Sequence, residues 1–290
     1  MKWLLLLAIA LFALSVGNIA EAATIKGKID GQGHHYLILD GVISLGDSQT
    51  FAGELAIAQQ QGYRLEGVQL NSPGGSVWDA VLIASMLGSI PDAITAVRKT
   101  DICESACFLI FAAGRRKYLE PRSQPLTQIG VHSFSVLAVH VDGTFGQNET
   151  PLVSAQMLWS VRRLKAIGVP DSVIGKMVTT PPNKMSHLTT SEVKAMGTAI
   201  AGVDAPGSTM IRALRDPDPL MVAAVVRNID VTDDRSGQRH VIPEGRMVLV
   251  EDSCRSRDGY CQVVASDSEW HLMGGYLPRN KLSFNWPIAP

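Results

Sequence analysis

Three short stretches hold residues whose types and spacing suit chemistry. In "TDICESACFLIFAAG" (residues 100–114), Ser105 stands between Cys103 and Cys107 at the head of a long apolar run. A serine there has two readings. It is an N-cap, a role serine fills well, or it is a nucleophile at a turn into a helix, with the Ala106 N–H facing the same way as its hydroxyl. In "IGVHSF" (residues 129–134), His132 sits in an apolar strand. A lone histidine in such a strand is usually a satisfied core residue, yet an imidazole that titrates near neutrality is the base a serine needs. In "LNSPGGS" (residues 70–76), a strand ends, Pro73 turns the chain, and Gly74 and Gly75 open a helix. Two glycines leave backbone N–H groups uncovered at the positive end of a helix dipole, a place that can receive an oxyanion. Pro-Gly-Gly is also a common turn, so this signal stands only with the other two.

The elements between these stretches must bring them together. Residues 35–44 read as a strand, 48–62 as a helix closed by Gly62, 64–72 as a strand, and 74–89 as a helix. Residues 93–99 read as a third strand and "ESACFLIFAAG" as a buried helix closed by Gly114. "RRKYLEP" and "QIGVHSFSV" read as further short strands. Alternation of this kind predicts an α/β domain with a largely parallel sheet. Ser105 and His132 are then one helix and two strands apart, and one end of a sheet can reunite them. Residues 136–147 read as a hairpin excursion around Asp142-Gly143. Helical spacing returns over 151–168, 170–180 and 188–197, the last with Gly197 just past its end. After Val203 the texture changes. Residues 208–221 read as a linker, and 222–290 as short strands and turns forming a small all-β barrel.

Composition sets the class. The 290 residues are 46% hydrophobic and 18% charged, with a net charge of −1 and no basic block. A sizeable core follows, and nucleic acid or an anionic membrane surface is a poor partner. Residues 1–22 have Lys2, an apolar run from Trp3 to Val16, and "AEA" at residues 20–22. The run is shorter than the ~20 residues a membrane span needs, so a cleaved signal peptide is expected rather than an anchor. The expected location is periplasmic or secreted. Four cysteines in an exported chain suggest disulfides, Cys103 with Cys107 and Cys254 with Cys261. Metal binding competes weakly, because no histidine or further cysteine completes either pair at zinc-finger spacing.

Taken together, "LNSPGGSV", "ESACFLIFAAGRRKYLEP" and "IGVHS" resemble the Clp protease proteolytic subunit and its relatives in the crotonase-like superfamily. "LTTSEVKAMG" (residues 188–197) resembles a late segment of that family. The resemblance covers roughly residues 36–203 and implies a Clp/crotonase-like ββα superhelix for residues 23–207. It implies Ser105 as nucleophile, His132 as general base, and the N–H groups of Gly75 and Ala106 as the oxyanion hole. The mechanism would be an acyl-enzyme one with no cofactor and no metal. In that family an aspartate orients the histidine. Met185 holds the corresponding place, so the resemblance leaves the orienting role to nearby Asn183, as in triads that use asparagine, with Asp171 as a more weakly placed alternative. A Ser-His dyad, or a site without catalysis, stays open. Cys103 and Cys107 would brace the nucleophile turn, or stay reduced with one of them in the core.

"DGYCQVVASDSEWHLMGGYLPRNKL" (residues 258–282) resembles the closing part of bacterial SH3-like domains. That resemblance implies a peptide- or cell-wall-binding barrel. Trp270, Tyr276 and Trp286 are either groove or core residues there, and Cys254–Cys261 is a hairpin staple. Two functions follow. One is an exported, ATP-independent serine hydrolase, a peptidase acting on peptide or protein, without an ATPase partner and with homo-oligomers as in its relatives. The other is a non-catalytic envelope binding protein. Acyl-CoA chemistry is disfavoured by export and by the serine.

Overall fold

The computed structural model describes residues 22–29, 33–134, 137–139, 145–147, 151–202, 221–232, 239–250, 254, 259–266 and 272–284. The expected signal peptide lies outside them except for Ala22, and the linker except for Met221; Trp270 and Trp286 also lie outside.

The main layer is a six-stranded sheet, ordered β1-β2-β3-β4-β6-β11. Its strands are β1 (Thr24–Ile29), β2 (His35–Asp40), β3 (Leu65–Asn71), β4 (Ile94–Val97), β6 (Arg116–Leu119) and β11 (Thr198–Ile200). All neighbours run parallel except β1 against β2. Between them run α1 (Asp47–Gln60), α2 (Val77–Ser89) and α3 (Ala106–Ala113). The expected alternation is therefore present, with strand and helix limits shifted by a few residues. Every residue of α3 is buried, as its continuous apolar sequence demands.

A second sheet holds three strands, β10 (Ser186–Thr189), β7 (Leu126–Val131) and β5 (Cys103–Glu104). Strand β5 is only two residues long and runs parallel to β7, while β10 runs antiparallel to it. This small sheet collects the candidate site. Strands β8 (Leu137–Val139) and β9 (Phe145–Gln147) pair as the expected hairpin. Helices α4 (Pro151–Ala166), α5 (Asp171–Thr179) and α6 (Thr190–Ala195) follow. Thr189 and Glu192 form a reciprocal capping box at the start of α6.

Gly114 ends α3, but not as a left-handed cap, since its φ is −57°. Its lack of a side chain is needed elsewhere: a Cβ would sit 2.3 Å from Thr95 Oγ1. Gly197, at φ +76°, does take the left-handed position after α6.

The C-terminal part has β12 (Met221–Val225), β13 (Ile229–Thr232), β14 (Arg239–Ile242), β15 (Met247–Val250), β16 (Tyr260–Ser266), β17 (Leu272–Pro278) and β18 (Leu282–Ser283). Five of them make an antiparallel sheet ordered β17-β16-β15-β12-β18, and β13 pairs with β14. Alternation splits this sheet between two cores. Ala223, Val225, Val248, Val250, Cys261 and Val263 form a core of their own. Ala224, Met247, Leu249 and Val264, one step out of phase, join the main core. The middle strands β12 and β15 are thus buried on both faces, and both pack against α2.

Candidate active site

Ser105 occupies the N-cap position of α3, yet its hydroxyl caps nothing. Ser76, at the start of α2, shows what a capping serine does here: its Oγ accepts from the Asp79 N–H at 3.2 Å. Ser105 instead has φ 54° and ψ −124°, a conformation that costs a non-glycine residue about 1–3 kcal/mol. Its backbone N–H donates to Gly130 O at 2.9 Å, and its carbonyl accepts from the Phe108 N–H at 3.0 Å. The backbone is therefore held at both ends, while among the described residues the side chain has no hydrogen-bond partner. A strained strand-to-helix turn that leaves a hydroxyl free is the arrangement used to present a nucleophile.

The glycine pair lies against this turn. Residues 72–75 run beside residues 102–106, joined by Ser72 N–H to Ile102 O at 2.8 Å and Glu104 N–H to Ser72 O at 3.0 Å. A Cβ on Gly74 would sit 2.6 Å from Ser105 Cβ and 2.9 Å from Ala106 N. One on Gly75 would sit 2.1 Å from Ile43 O. Both positions therefore exclude any side chain. Ile43 fixes the loop from behind, donating to Gly74 O at 2.8 Å and accepting from Ser76 N–H at 2.7 Å. Among the described residues no hydrogen bond uses the Gly75 N–H. Ala106 is the first residue of α3, so its N–H has no partner inside the helix. Among the described residues neither amide has a hydrogen-bond partner, and the turn through Gly74 packs on the Ser105 turn.

Below this loop, buried Asp79 ties α1 to α2. It accepts from the N–H of Gly46 and of Ser48 at 3.1 and 3.0 Å, and from the hydroxyls of Ser48 and Ser76, both at 2.8 Å.

His132 follows the end of β7. Its Nδ1 lies 2.6 Å from the carbonyl oxygen of Ser133, which can only accept, so Nδ1 carries the proton. In the neutral ring, Nε2 then keeps its lone pair, the state a general base requires. Ser133 is anchored in turn by its N–H to Thr180 O at 2.8 Å, at the end of α5. No hydrogen bond joins Ser105 Oγ to His132 among the described residues; such bonds are often long before substrate binds.

The small sheet puts further groups beside them. Glu104 and His187 both pair with Gly130, one from each neighbouring strand. With no side chain on Gly130, they meet across it: His187 Nε2 donates to Glu104 Oε1 at 2.8 Å. Met185 covers the same glycine, its Sδ 2.6 Å from where a Cβ would stand. Ser186 pairs with Val131, so the next step of the ladder sets Met185 across from His132. A thioether thus lies where an orienting acid would be expected, and the carboxylate of this face is taken by a second histidine. The residues 104 and 187 are far apart in sequence, and only the two-residue β5 reveals the pairing.

Asn183 is exposed in the turn closed by Lys184 N–H to Pro181 O, with no hydrogen bond to His132 among the described residues. Asp171 begins α5, whereas His132 neighbours the end of that helix, about 12 Å away at 1.5 Å per residue. Asp171 pairs with Lys165 at 3.4 Å on the surface. Both disulfides form, Cys103–Cys107 around Ser105 and Cys254–Cys261 in the C-terminal sheet. Cys103 and Cys107 are fully buried. Tyr276 is 65% exposed. Among the described residues no cluster of His, Cys, Asp or Glu could hold a metal.

No known family profile matches the chain, and no curated protein matches it. Solved structures that it resembles include ClpP1 from Listeria monocytogenes, with 19% identity over 56% of this chain and 86% of that one, at a TM-score of 0.40. A mutant of the 1510-N membrane-bound stomatin-specific protease, in complex with a substrate peptide, matches at 15% identity over 56% and 73%, with a TM-score of 0.40. An enoyl-CoA hydratase from Bacillus halodurans matches at 10% identity over 61% and 73%, with a TM-score of 0.37.

Proposed function

We propose that this chain is an exported serine hydrolase, a peptidase that acts through Ser105 and His132 without an ATPase partner. One observation carries the reading: the Ser105 hydroxyl is withheld from capping, on a strained turn packed against the glycine turn at Gly74. In the reaction, Ser105 Oγ attacks the substrate carbonyl while His132 Nε2 takes its proton. The new oxyanion accepts from the N–H groups of Gly75 and Ala106. The leaving amine departs with the proton from His132, and water then cleaves the acyl-serine by the same steps in reverse.

The Ser133 carbonyl does part of the absent acid's work. It sets the tautomer of His132, but as a neutral acceptor it stabilises the imidazolium less than a carboxylate would. Turnover is therefore expected to be slower than for a triad with an acid. Lys2, the apolar run after it and two disulfides support export into an oxidising compartment. No helix among the described residues is long and apolar enough to cross a membrane. A compartment without ATP favours short or unfolded peptides as substrates. The C-terminal sheet is read as an SH3-like module for peptide or cell-wall glycan, with exposed Tyr276 on its surface.

A second reading, a binding protein with a silent cleft, is favoured by Met185 at the acid's place and by Glu104 being engaged with His187. Hydrolysis of a fluorogenic unstructured peptide by the mature chain separates the two. The hydrolase reading expects turnover that disappears in Ser105→Ala. Equal rates in wild type and Ser105→Ala leave only the binding reading.

A further inference from the structure

Asp79 is fully buried, at 0% exposure, and the reaction proposed above gives it no part. It is the third residue of α2. Its Oδ1 accepts from the N–H groups of Gly46 and Ser48 and from the Ser48 hydroxyl, all at the start of α1. Its Oδ2 accepts from the Ser76 hydroxyl at 2.8 Å, and its own N–H donates back to Ser76 Oγ at 3.2 Å. Taking a carboxylate out of water is costly unless donors surround it. Four donors and the positive ends of two helices do so here.

The two halves of this arrangement flank the same piece of backbone. Ile43 and Gly75 form a parallel bridge. Its bonds run from Ile43 N–H to Gly74 O at 2.8 Å and from Ser76 N–H to Ile43 O at 2.7 Å. Asp79 grips Gly46 and Ser48 on the Ile43 side and Ser76 on the glycine side. A closed ring results, from Ile43 through Gly46, Asp79, Ser76 and Gly75 back to Ile43. Gly74 and Gly75, at φ +99° and +136°, have no side chains with which to hold themselves. Glycine also has the most backbone freedom to lose, so the order of this turn must come from its flanks. Gly74 in turn packs on the nucleophile turn, where a Cβ would stand 2.6 Å from Ser105 Cβ.

We infer that Asp79 is a positioning residue: it holds the glycine turn, and with it the Gly75 N–H, where the developing oxyanion is received. Being fully buried, it acts only through Ser76 and the segment from Ile43 to Ser48. A carboxylate suits this task because each oxygen serves one side and both only accept. The effect on rate rests on the hydrolase reading; the effect on the turn does not.

The test uses the mature chain with 15N-labelled glycine. It measures the order of the Gly75 amide by NMR relaxation, beside turnover of a fluorogenic unstructured peptide. Wild type is expected to hold this amide at an order parameter near ~0.85, as in rigid backbone, and Asp79→Ala to drop it below about 0.6. The same variant should lose on the order of 10²-fold in kcat with KM little changed, as when one oxyanion donor is removed. Asp79→Asn, which can still bridge both sides, should recover part of each. Thr189→Ala destabilises the chain by removing the cap of α6 and should move neither readout. If Asp79→Ala does not fold, Ser76→Ala, which cuts only the Oδ2 side, decides. A Gly75 amide as ordered as in wild type overturns the inference, and so does a loosened turn with kcat unchanged. An equal fall in Thr189→Ala also overturns it, since the effect would then be one of stability. A wild type without turnover defeats the hydrolase reading, and the Gly75 amide still decides whether Asp79 sets the turn.

Discussion

Gly74→Ala adds one methyl group where the structure has no room for it. The position has φ +99°, which costs an alanine about 1–2 kcal/mol. The new Cβ would stand 2.6 Å from Ser105 Cβ, 2.7 Å from Glu104 O and 2.9 Å from Ala106 N. None of these is the far end of a flexible side chain. Ordinary contact begins near 3.4 Å, so the nucleophile turn must retreat by roughly 0.8 Å (3.4 − 2.6). A displacement near 1 Å in reacting groups costs on the order of 10²-fold in rate. Strain and contacts together cost about 2–3 kcal/mol of stability. Gly53→Ala and Gly175→Ala are the controls. Both lie within helices with nothing within 4 Å of the added atom, and each should stabilise by about 0.5–1 kcal/mol. The assay pairs the rate of fluorophosphonate labelling with urea denaturation. Gly74→Ala that folds and labels at the wild-type rate would refute the proposed contact between the glycine loop and the nucleophile.

Met185→Asp places a carboxylate across from His132, and the labelling rate should rise about tenfold, in line with a modest general-base gain; an unchanged rate means the position does not serve that ring. Replacing both Cys103 and Cys107 by alanine opens a loop closed over a separation of 4 residues, costing about 2 kcal/mol by loop entropy. Labelling should slow as the turn loosens, and a variant of wild-type stability and rate would remove the brace from the account. Glu192 is pushed up by burial, but the Lys176 ammonium and the Thr189 N–H and hydroxyl outweigh this and hold its carboxyl below the usual range. That stability is present above the unfolded value near ~4.3 and is lost as pH falls through the lower folded value. Glu192→Gln should therefore cost about 1 kcal/mol at neutral pH. Denaturation curves of the two proteins should converge in acid, and a difference that grows on acidification would contradict the pairing.

Much of this molecule is legible from residue order because its central strands and helices are strongly apolar. The α/β alternation from β2 to β7 and the buried α3 follow from runs that only a core can absorb. Both cysteine pairs are local, so spacing alone suggests them. Ser105 is harder, because a serine before a helix looks the same whether it caps or not; only its backbone angles and its idle hydroxyl distinguish the two. The Glu104–His187 pair leaves no trace in the sequence, since β5 is two residues long and too short for any periodicity to mark. Nor does the sequence anticipate that the middle strands of the C-terminal sheet would bury both faces. "MVLV" reads as one apolar run, and which side each residue takes is settled by the neighbour it packs on.

The central claim is chemical: one serine among those of this chain reacts as an activated nucleophile. Incubation of the mature protein with a fluorophosphonate at neutral pH, followed by peptide mapping by mass spectrometry, tests it. A single adduct on Ser105, lost in Ser105→Ala and slowed in His132→Ala, is the predicted outcome. An unlabelled wild-type protein, or an adduct on a different residue, would contradict it.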